Sequence, residues 1–217
     1  MIENYNPPKL PLLTILYQDE TILVFNKPSG LLSVPGRELK HRDSLQSRVQ
    51  SKFDNALTVH RLDMDTSGII IMAIGKDAHR HLSKQFQNRE VNKSYIARVY
   101  GEIDQNEGLI DLPLICDWPN RPKQMVDFAI GKPSQTTWKV IRRSKNETRL
   151  RLIPITGRSH QLRVHLQHIG HPILGDRFYA QTEALQMSDR LCLHSESLTV
   201  IHPKTSEKLT FNCSVPF

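Results

Sequence analysis

Many short segments of the chain either alternate apolar and polar residues or consist of apolar runs between turn-forming residues, and both patterns predict β-strands. These segments are residues 12–17, 21–25, 59–61, 68–74, 93–100, 135–141, 148–153, 191–201 and 209–212. Hairpin-like connections between them outnumber the helical crossovers of parallel βαβ units. The pattern therefore predicts an α+β fold with a mainly antiparallel sheet.

Helices are predicted where apolar residues recur every three or four positions. The predicted helices cover residues 43–53, 77–89, 160–169 and 183–187. Asp43 and Asp77 are expected to be the N-caps of the first two helices, because an aspartate side chain accepts hydrogen bonds from the free amides of a first turn. In the second helix, Ala78, Leu82 and Phe86 form an apolar stripe that is expected to face the core.

Composition limits the class of protein. The chain has 217 residues, of which 38% are hydrophobic, and this is enough for a folded core. Its longest apolar run, residues 69–74, is far shorter than the ~20 residues of a membrane span, and the N-terminus does not resemble a secretory signal. Because no repeat or linker interrupts the chain, we expect one domain, residues 1–217, in a soluble intracellular protein.

Charge and cysteine content refine this description. Lysine and arginine number 29 against 22 acidic residues, and the resulting net charge of +7 favours a polyanionic partner such as nucleic acid. A basic surface that binds nothing explains the charge equally well. The three cysteines, Cys116, Cys192 and Cys213, are far apart and form no C-x-x-C motif. This excludes a disulfide framework and a cysteine-rich zinc site, and it fits the cytoplasm.

The first stretch with candidate chemistry is H-R-L-D-M-D-T-S-G, from His60 to Gly68. A predicted strand runs into a polar turn that holds Asp63 and Asp65 beside Arg61, Thr66 and Ser67. A carboxylate on such a turn is suited to act as a nucleophile or a base. The alternative is an Asx turn, in which the aspartates only accept hydrogen bonds from the backbone.

The second stretch is G-R-S-H-Q-L-R-V-H, from Gly157 to His165, where a glycine turn opens a helix. Arg158 and Ser159 at the helix N-terminus favour a phosphate, and His160, Arg163 and Gln167 are expected to share its polar face. The alternative is an ordinary amphipathic surface helix. The histidines here lack the acidic neighbours and spacing of a zinc site, and no phosphate-binding glycine motif occurs in the chain.

Two further segments are ambiguous on their own. N-K-P-S-G, from Asn26 to Gly30, reads as an irregular turn whose Lys27 faces either RNA or water. K-S-Y, from Lys93 to Tyr95, lies at the start of a predicted strand, where the Tyr95 ring is expected to pack in the core.

Taken in order, these stretches resemble the RluA family of pseudouridine synthases, and the resemblance extends from about residue 13 to the C-terminus. The motifs are N-K-P-S-G at Asn26, H-R-L-D-x-x-T-S-G at His60, K-S-Y at Lys93, G-R-x-H-Q-L-R-x-H at Gly157 and L-C-L-H at Leu191. The resemblance implies a mixed, mainly antiparallel sheet with flanking helices and a central basic cleft. It also implies that uridine in RNA is isomerised to pseudouridine without a cofactor or metal.

The resemblance also implies roles for individual residues. Asp63 matches the catalytic aspartate, Tyr95 the tyrosine that stacks on the target uracil, and Arg163 the arginine that pairs with the aspartate. Arg61 matches the residue that fills the gap left by the flipped uridine, since the reacting atoms are otherwise buried in a base stack. Leu162 and Leu193 are candidates for the apolar wall of the pocket. The remaining candidates for RNA contact are Lys93, Arg158 and His160.

The substrate is expected to be an RNA hairpin loop. The segments from Cys116 to Gln124 and from Gly175 to Tyr179 are closest to the member that gives the family its name, which implies 23S rRNA uridine 746 and tRNA anticodon-loop uridine 32 as targets. No room precedes Asn26 for the S4-type RNA-binding domain of many relatives, and a monomer is expected. The alternatives are a non-catalytic RNA-binding or ribosome-assembly protein and a base-excising N-glycosylase.

Overall fold

The structure is a computed structural model and describes residues 5–217. Its strands are β1 (Ile15–Gln18), β2 (Ile22–Lys27), β3 (Ala56–Thr58), β4 (Ser67–Ile74), β5 (Asn92–Tyr100), β6 (Glu107–Asp111), β7 (Leu114–Cys116), β8 (Gln124–Val126), β9 (Gln135–Ser144), β10 (Glu147–Pro154), β11 (Leu193–Ile201) and β12 (Lys208–Asn212). Its α-helices are α1 (Leu45–Gln50), α2 (Lys76–Gln87), α3 (Gln161–His168) and α4 (Thr182–Gln186). Short 3-10 helices form at Leu39–His41 and Trp118–Asn120.

The chain folds into two compact units, each with its own hydrophobic core. The first, here called the Asp63 unit, comprises residues 5–93 and 194–216. The second, here called the Arg163 unit, comprises residues 94–193 with Phe217. The expectation of a single domain stays a prediction.

In the Asp63 unit, four strands pair in the order β1, β2, β4 and β11, with β3 also on β4 and β12 also on β11. The β4–β11 pair is parallel and the other pairs are antiparallel. Helix α2 covers this sheet with Ala78 and Leu82, which are buried, while Phe86 packs at the margin of the same core. The predicted apolar stripe is therefore confirmed.

In the Arg163 unit, strands pair in the antiparallel order β5, β10, β9 and β6, and β7 pairs with β8 in a separate hairpin. Buried side chains of β5 and β10, among them Ala97, Val99 and Leu150, pack with Leu162 and Leu166 of α3 in one core. The predicted α+β fold with a mainly antiparallel sheet is confirmed. No helix among residues 5–217 is both long enough and apolar enough to span a membrane.

Both predicted aspartate caps are wrong. Ser44 is the N-cap of α1 and accepts a hydrogen bond from the Ser47 amide, while Asp43 instead binds the Arg48 guanidinium at 2.7 Å. Gly75 precedes α2, and Asp77 lies within its first turn. A serine next to an aspartate competes for the same position, and an aspartate in the first turn also stabilises a helix through its dipole.

The predicted strand at residues 59–61 is also wrong, because β3 ends at Thr58. The Nε2 atom of His60 accepts a hydrogen bond from the Ile71 amide of β4 at 3.1 Å. This imidazole takes the place that a carbonyl of a continuing strand would fill, so the chain leaves the sheet here. Four strands that the pattern did not predict, β3, β6, β7 and β8, have five residues or fewer.

Candidate active site

The predicted catalytic aspartate lies on the loop between β3 and β4, residues 59–66, here called the Asp63 loop. Hydroxyl groups from the segment after β2 bind its backbone. Ser33 Oγ donates to the Leu62 carbonyl at 2.6 Å and accepts from the Leu62 amide at 3.1 Å. Ser29 Oγ donates to the Asp65 carbonyl at 2.7 Å. The loop is therefore fixed on both sides of Asp63.

Lys27 is part of this support, and the expectation that it faces RNA or water is wrong. Its side chain is fully buried. Its Nζ atom donates to the carbonyls of Pro28, Leu31 and Met64 at 2.9, 2.7 and 2.9 Å. The Gly30 amide donates to the same Met64 carbonyl at 2.9 Å. A buried ammonium is stable only when it is paired or hydrogen-bonded, so the N-K-P-S-G motif joins the turn after β2 to the residue that follows Asp63.

The turn at Asp63 is closed by its backbone. The Thr66 amide donates to the Asp63 carbonyl at 3.2 Å, which closes the turn without the carboxylate. The Asp63 side chain itself is half-buried. The Asx turn, in which Asp63 or Asp65 accepts hydrogen bonds from the backbone, stays an alternative.

The T-S-G end of the motif serves the sheet. Ser67 Oγ and His194 Nδ1 lie 2.8 Å apart in a hydrogen bond between β4 and β11. Gly68 has φ of +109°, and a Cβ atom there would lie 2.3 Å from the Ser195 carbonyl oxygen. Only glycine fits this close parallel pairing, so the end of the motif fixes where β4 begins.

His60 stays neutral at the base of the loop. Its ring stacks on Phe86 with centroids 4.4 Å apart, and its Nε2 accepts the amide proton of Ile71. Burial, together with the positive charge of Lys93, lowers the pKa of His60 to about 3. Lys93 itself lies 5.9 Å from the Phe86 ring centroid, and burial also lowers the pKa of its ammonium group.

In the Arg163 unit, a side chain of the motif itself makes the buried contacts. Arg163 is almost fully buried, and its Nε and Nη2 atoms bind the two carboxylate oxygens of Asp176 at 2.8 and 2.7 Å. The rings of Phe178 and Tyr179 lie 5.2 Å from the guanidinium carbon. Sequence reasoning missed Asp176 as a partner of Arg163, although the G-D-R-F-Y segment that contains it was available as a signal. The pairing of Arg163 with Asp63 stays a prediction.

The predicted shared face of His160, Arg163 and Gln167 is wrong. His160 is the residue before α3, with φ of 52°, whereas Arg163 is buried and Gln167 is exposed. Residues 161–166 are all buried because core elements surround this part of the helix. The alternative of an ordinary amphipathic surface helix is wrong for the same reason.

Gln161 and His165 form a buried polar network with the start of β9. Gln161 donates to the Gln135 carbonyl and to Thr136 Oγ1, and it accepts from Thr156 Oγ1 and the Arg158 amide. Thr136 Oγ1 also lies 3.0 Å from His165 Nδ1. Every polar atom of the Gln161 amide is thus used, as a buried amide requires. These motif residues build the turn rather than presenting themselves to a ligand.

The remaining predicted residues are distributed over both units. Arg61 and Arg158 are exposed, Tyr95 is half-buried against the core of the Arg163 unit, and Leu193 is buried within that core. His160 is half-buried, with its ring stacked on Phe178. The predicted site residues of the Asp63 unit are Arg61, Asp63 and Lys93, and those of the Arg163 unit are Tyr95, Arg158, His160, Leu162, Arg163 and Leu193.

Comparison with known proteins decides the family. The sequence pattern of the family described as RNA pseudouridylate synthase matches residues 21–168, which include the Asp63 loop and most of α3. The chain belongs to this family. It is 57% identical, over all of its length and 99% of the relative, to the dual-specificity RNA pseudouridine synthase RluA of Salmonella typhimurium. It is 53% identical to the protein of that name from Haemophilus influenzae, over 98% of each chain.

Solved structures agree with this membership of the RNA pseudouridylate synthase family. Human RNA pseudouridylate synthase domain containing 1 superposes with a TM-score of 0.81 at 27% identity, over 98% of this chain and 87% of that one. Membership makes the protein an RNA pseudouridine synthase, an isomerase. No three histidine, cysteine or acidic side chains within residues 5–217 are grouped as metal ligands would be. The expected independence from metal and cofactor stays a prediction.

Proposed function

We propose that this protein converts uridine to pseudouridine in RNA hairpin loops with Asp63 as the catalytic group. The observation that carries the proposal is the support of the Asp63 loop, in which Lys27, Ser29 and Ser33 bind the backbone on both sides of the aspartate. Chemistry at one atom of a substrate needs a catalytic group held within a fraction of an ångström. The three side chains that hold this short loop meet that requirement.

The reaction balances without an outside reagent. The bond from N1 of uracil to C1′ breaks, a bond from C5 to C1′ forms, the hydrogen on C5 leaves and N1 gains one. The Asp63 carboxylate either attacks the sugar, adds to the base or removes a sugar proton to give a glycal. These three routes remain alternatives.

The other residues are proposed to prepare this step. Arg61 is exposed on the Asp63 loop, which suits a side chain that enters the stack when the uridine flips out. Tyr95 stacks on the uracil, and Arg163 pairs with Asp63. Asp176 supports the role of Arg163 because its bidentate contact fixes the guanidinium in one orientation. Leu193 lines the pocket.

The proposed substrates are uridine 746 of 23S rRNA and uridine 32 of tRNA anticodon loops. Relatives named dual-specificity RNA pseudouridine synthase, at 57% and 53% identity, support two kinds of RNA target. The net charge of +7 supports a polyanionic partner, with Lys93, Arg158 and His160 as contacts. Three free cysteines support a reducing compartment such as the cytoplasm.

The test is pseudouridine formation in an anticodon stem-loop that contains one target uridine. Asp63→Asn is expected to retain less than about 1% of wild-type turnover while RNA affinity stays within a few-fold, because phosphate contacts supply most of the affinity. Asp65→Asn, which removes a carboxylate from the same loop, is the matched control and is expected to retain most activity. Wild-type protein that binds the RNA without product supports the non-catalytic alternative. Release of free uracil supports the N-glycosylase.

Tyr95 is tested with two variants. Tyr95→Phe keeps the ring and loses the hydroxyl, whereas Tyr95→Leu loses both. If stacking is the role of the residue, the phenylalanine variant keeps most activity and the leucine variant loses it. Failure of both variants to the same extent assigns proton transfer to the hydroxyl, and full activity of Tyr95→Leu removes the residue from the site.

A further inference from the structure

Exposed apolar side chains concentrate in one part of the Arg163 unit. Trp118, Phe128 and Ile130 are 65%, 75% and 71% exposed. They lie on the β7–β8 hairpin and the turn that follows it, residues 114–132, here called the arm. Trp118 lies in the loop that joins β7 and β8, whereas Phe128 and Ile130 lie beyond the opposite end of the hairpin, where the Asp127 amide binds the Pro113 carbonyl. The Trp118 ring is therefore the large apolar group that this loop offers to a partner.

The charges of the arm indicate what the partner is. The Arg121 guanidinium carbon lies 4.6 Å from the centroid of the Trp118 ring, and Lys132 is exposed nearby in sequence. Both acidic residues of the arm are used within it. Asp117 accepts from the Asn120 side chain, and Asp127 accepts from the amides of residues 129 and 130. An aromatic ring with an arginine beside it fits a nucleobase and its phosphate, and the two carboxylates of the arm have hydrogen-bond partners within it.

We propose that the arm is a second RNA-binding site, in which Trp118 stacks on an unpaired base and Arg121 binds an adjoining phosphate. This inference rests on the proposed function, because the base belongs to the substrate hairpin. Stacking on an exposed ring accepts any base. The arm would therefore hold RNAs of different loop sequence, as an enzyme with two kinds of target requires.

Two hydrogen bonds to the Tyr179 hydroxyl connect the arm to the turn before α3. The Gln124 amide of β8 donates to Tyr179 Oη at 2.8 Å, and the same oxygen lies 2.7 Å from His160 Nδ1. A phenol that accepts one hydrogen bond has its own proton to donate, so Tyr179 joins both partners. The Tyr179 ring also faces the Arg163 guanidinium. Tyr179 is thus a positioning residue that sets the arm relative to His160 and Arg163.

Tryptophan fluorescence tests the inference directly, because the chain has two tryptophans, and Trp138 is only 6% exposed. Acrylamide quenching of the wild-type protein therefore reports mainly on Trp118. A saturating anticodon stem-loop is expected to protect Trp118 from acrylamide, and the Trp118→Phe protein is expected to show no RNA-dependent change. Trp118→Ala is expected to weaken RNA binding at least about fivefold, in line with the loss of one stacked base, while Trp118→Phe restores most of it.

Leu109→Ala is the matched control, since Leu109 is 55% exposed in the same unit but lies outside the arm. Its RNA affinity is expected to equal that of the wild type. Tyr179→Phe leaves the Gln124 amide and His160 Nδ1 without this partner, so the thermal midpoint is expected to fall somewhat, and KM is expected to rise several-fold at a temperature where the variant stays folded. An unchanged KM in the folded variant would assign Tyr179 a purely structural role.

The outcomes separate this inference from the proposed function. Unprotected Trp118 in a protein that makes pseudouridine overturns the arm and leaves the function intact. Protected Trp118 in a wild-type protein that makes no pseudouridine supports the arm and overturns the function. Protection that rises with protein concentration in the absence of RNA shows contact between copies of the chain, and it overturns the assignment to RNA.

Discussion

The two motif regions are held in opposite ways. In the Asp63 loop, side chains from a separate segment, Lys27, Ser29 and Ser33, bind the backbone of the motif. In the G-R-S-H-Q-L-R-V-H region, the side chains of the motif itself, such as Gln161 and Arg163, are buried and make the structural contacts. The buried side chains of the second region therefore serve the fold directly, whereas the backbone beside Asp63 is held by side chains from outside the motif.

This difference separates stability from chemistry. Lys27, Ser29 and Ser33 hold the loop backbone at Leu62, Met64 and Asp65, so an inactive Asp63→Asn variant is expected to remain folded. Replacing a buried residue of α3 removes both a structural contact and any role toward substrate. Loss of activity therefore identifies a catalytic group cleanly only in the Asp63 loop.

The largest effect on stability is expected for Arg163→Leu. The substitution leaves the Asp176 carboxylate buried without its ion pair, which costs about 3–5 kcal/mol of unfolding free energy. Urea denaturation measures the loss. The double variant Arg163→Leu with Asp176→Leu is expected to recover much of it, because the buried Asp176 charge is removed together with its partner. A single variant as stable as the wild type would show that the pair is not structural.

The exposed pair of Arg80 and Asp77 on α2 is the control for this experiment. Its atoms also lie at hydrogen-bonding distance, 3.0 Å, but both side chains are largely in solvent. Solvent screens such pairs, so Arg80→Leu is expected to leave the urea midpoint unchanged. Equal losses at both pairs would mean that burial does not distinguish the two regions.

The sequence pattern predicts the helices and strands better than it predicts the side-chain hydrogen bonds that join one segment to another. The spacing of Ala78 and Leu82 predicts α2, and the alternation along β5 and β10 predicts the strands whose buried side chains form the core of the Arg163 unit. Lys27 was ambiguous because a lysine in a proline-rich turn has no pattern that signals burial. Its three carbonyl partners include Met64, 37 positions away. Such a contact depends on tertiary structure, which periodicity does not encode.

The same limit applies to the candidate site. Asp63 and Arg163 were identified through a family resemblance that covers whole motifs. Asp176 and Tyr179 act on those motifs from outside them, 13 and 16 residues after Arg163. The β7–β8 hairpin was missed because strands of three residues are too short to display alternation.

Lys27→Met tests the support of the Asp63 loop, and its effect is expected to be the next largest. Methionine fills similar volume but leaves the carbonyls of Pro28, Leu31 and Met64 without their donor, which costs about 2–3 kcal/mol. Because the Met64 carbonyl follows Asp63, kcat is also expected to fall while RNA affinity is kept. Lys84→Met on the exposed face of α2 is the matched control. A folded Lys27→Met protein with wild-type kcat would show that the support does not position Asp63.

The stability of the Asp63 unit is expected to fall in mild acid because of His60. Its folded pKa of about 3 lies below that of a free histidine, so the unfolded chain binds a proton that the folded chain does not. The contribution of neutral His60 to the free energy of unfolding is fully present above pH 6.5. It is lost as the pH falls toward 3, and about 2 kcal/mol is lost at pH 5. Burial also lowers the pKa of His165, so this residue contributes to the same loss of stability in acid.

Urea denaturation at pH 7.5 and pH 5 measures this change in the free energy of unfolding in the wild type and in His60→Gln. Glutamine still offers an acceptor to the Ile71 amide but does not titrate. The variant is therefore expected to lose less stability between the two values than the wild type does. The carboxyl of Asp19, whose pKa is held low by hydrogen bonds from Thr21 and Ile22, stays ionised across this range and does not contribute. Equal pH dependence of both proteins would exclude His60 as the source.

The smallest and sharpest comparison removes one buried hydroxyl from each region. Ser33 Oγ binds the Leu62 amide and carbonyl, and Thr136 Oγ1 binds Gln161 and His165. Ser33→Ala and Thr136→Val are each expected to lower stability by about 1–2 kcal/mol, since each leaves two buried partners unsatisfied. Ser33 acts on the residue beside Asp63, so Ser33→Ala is expected to lower kcat more than Thr136→Val at similar loss of stability. If the two variants lose kcat in proportion to stability alone, the Asp63 loop needs no more precise support than the rest of the fold.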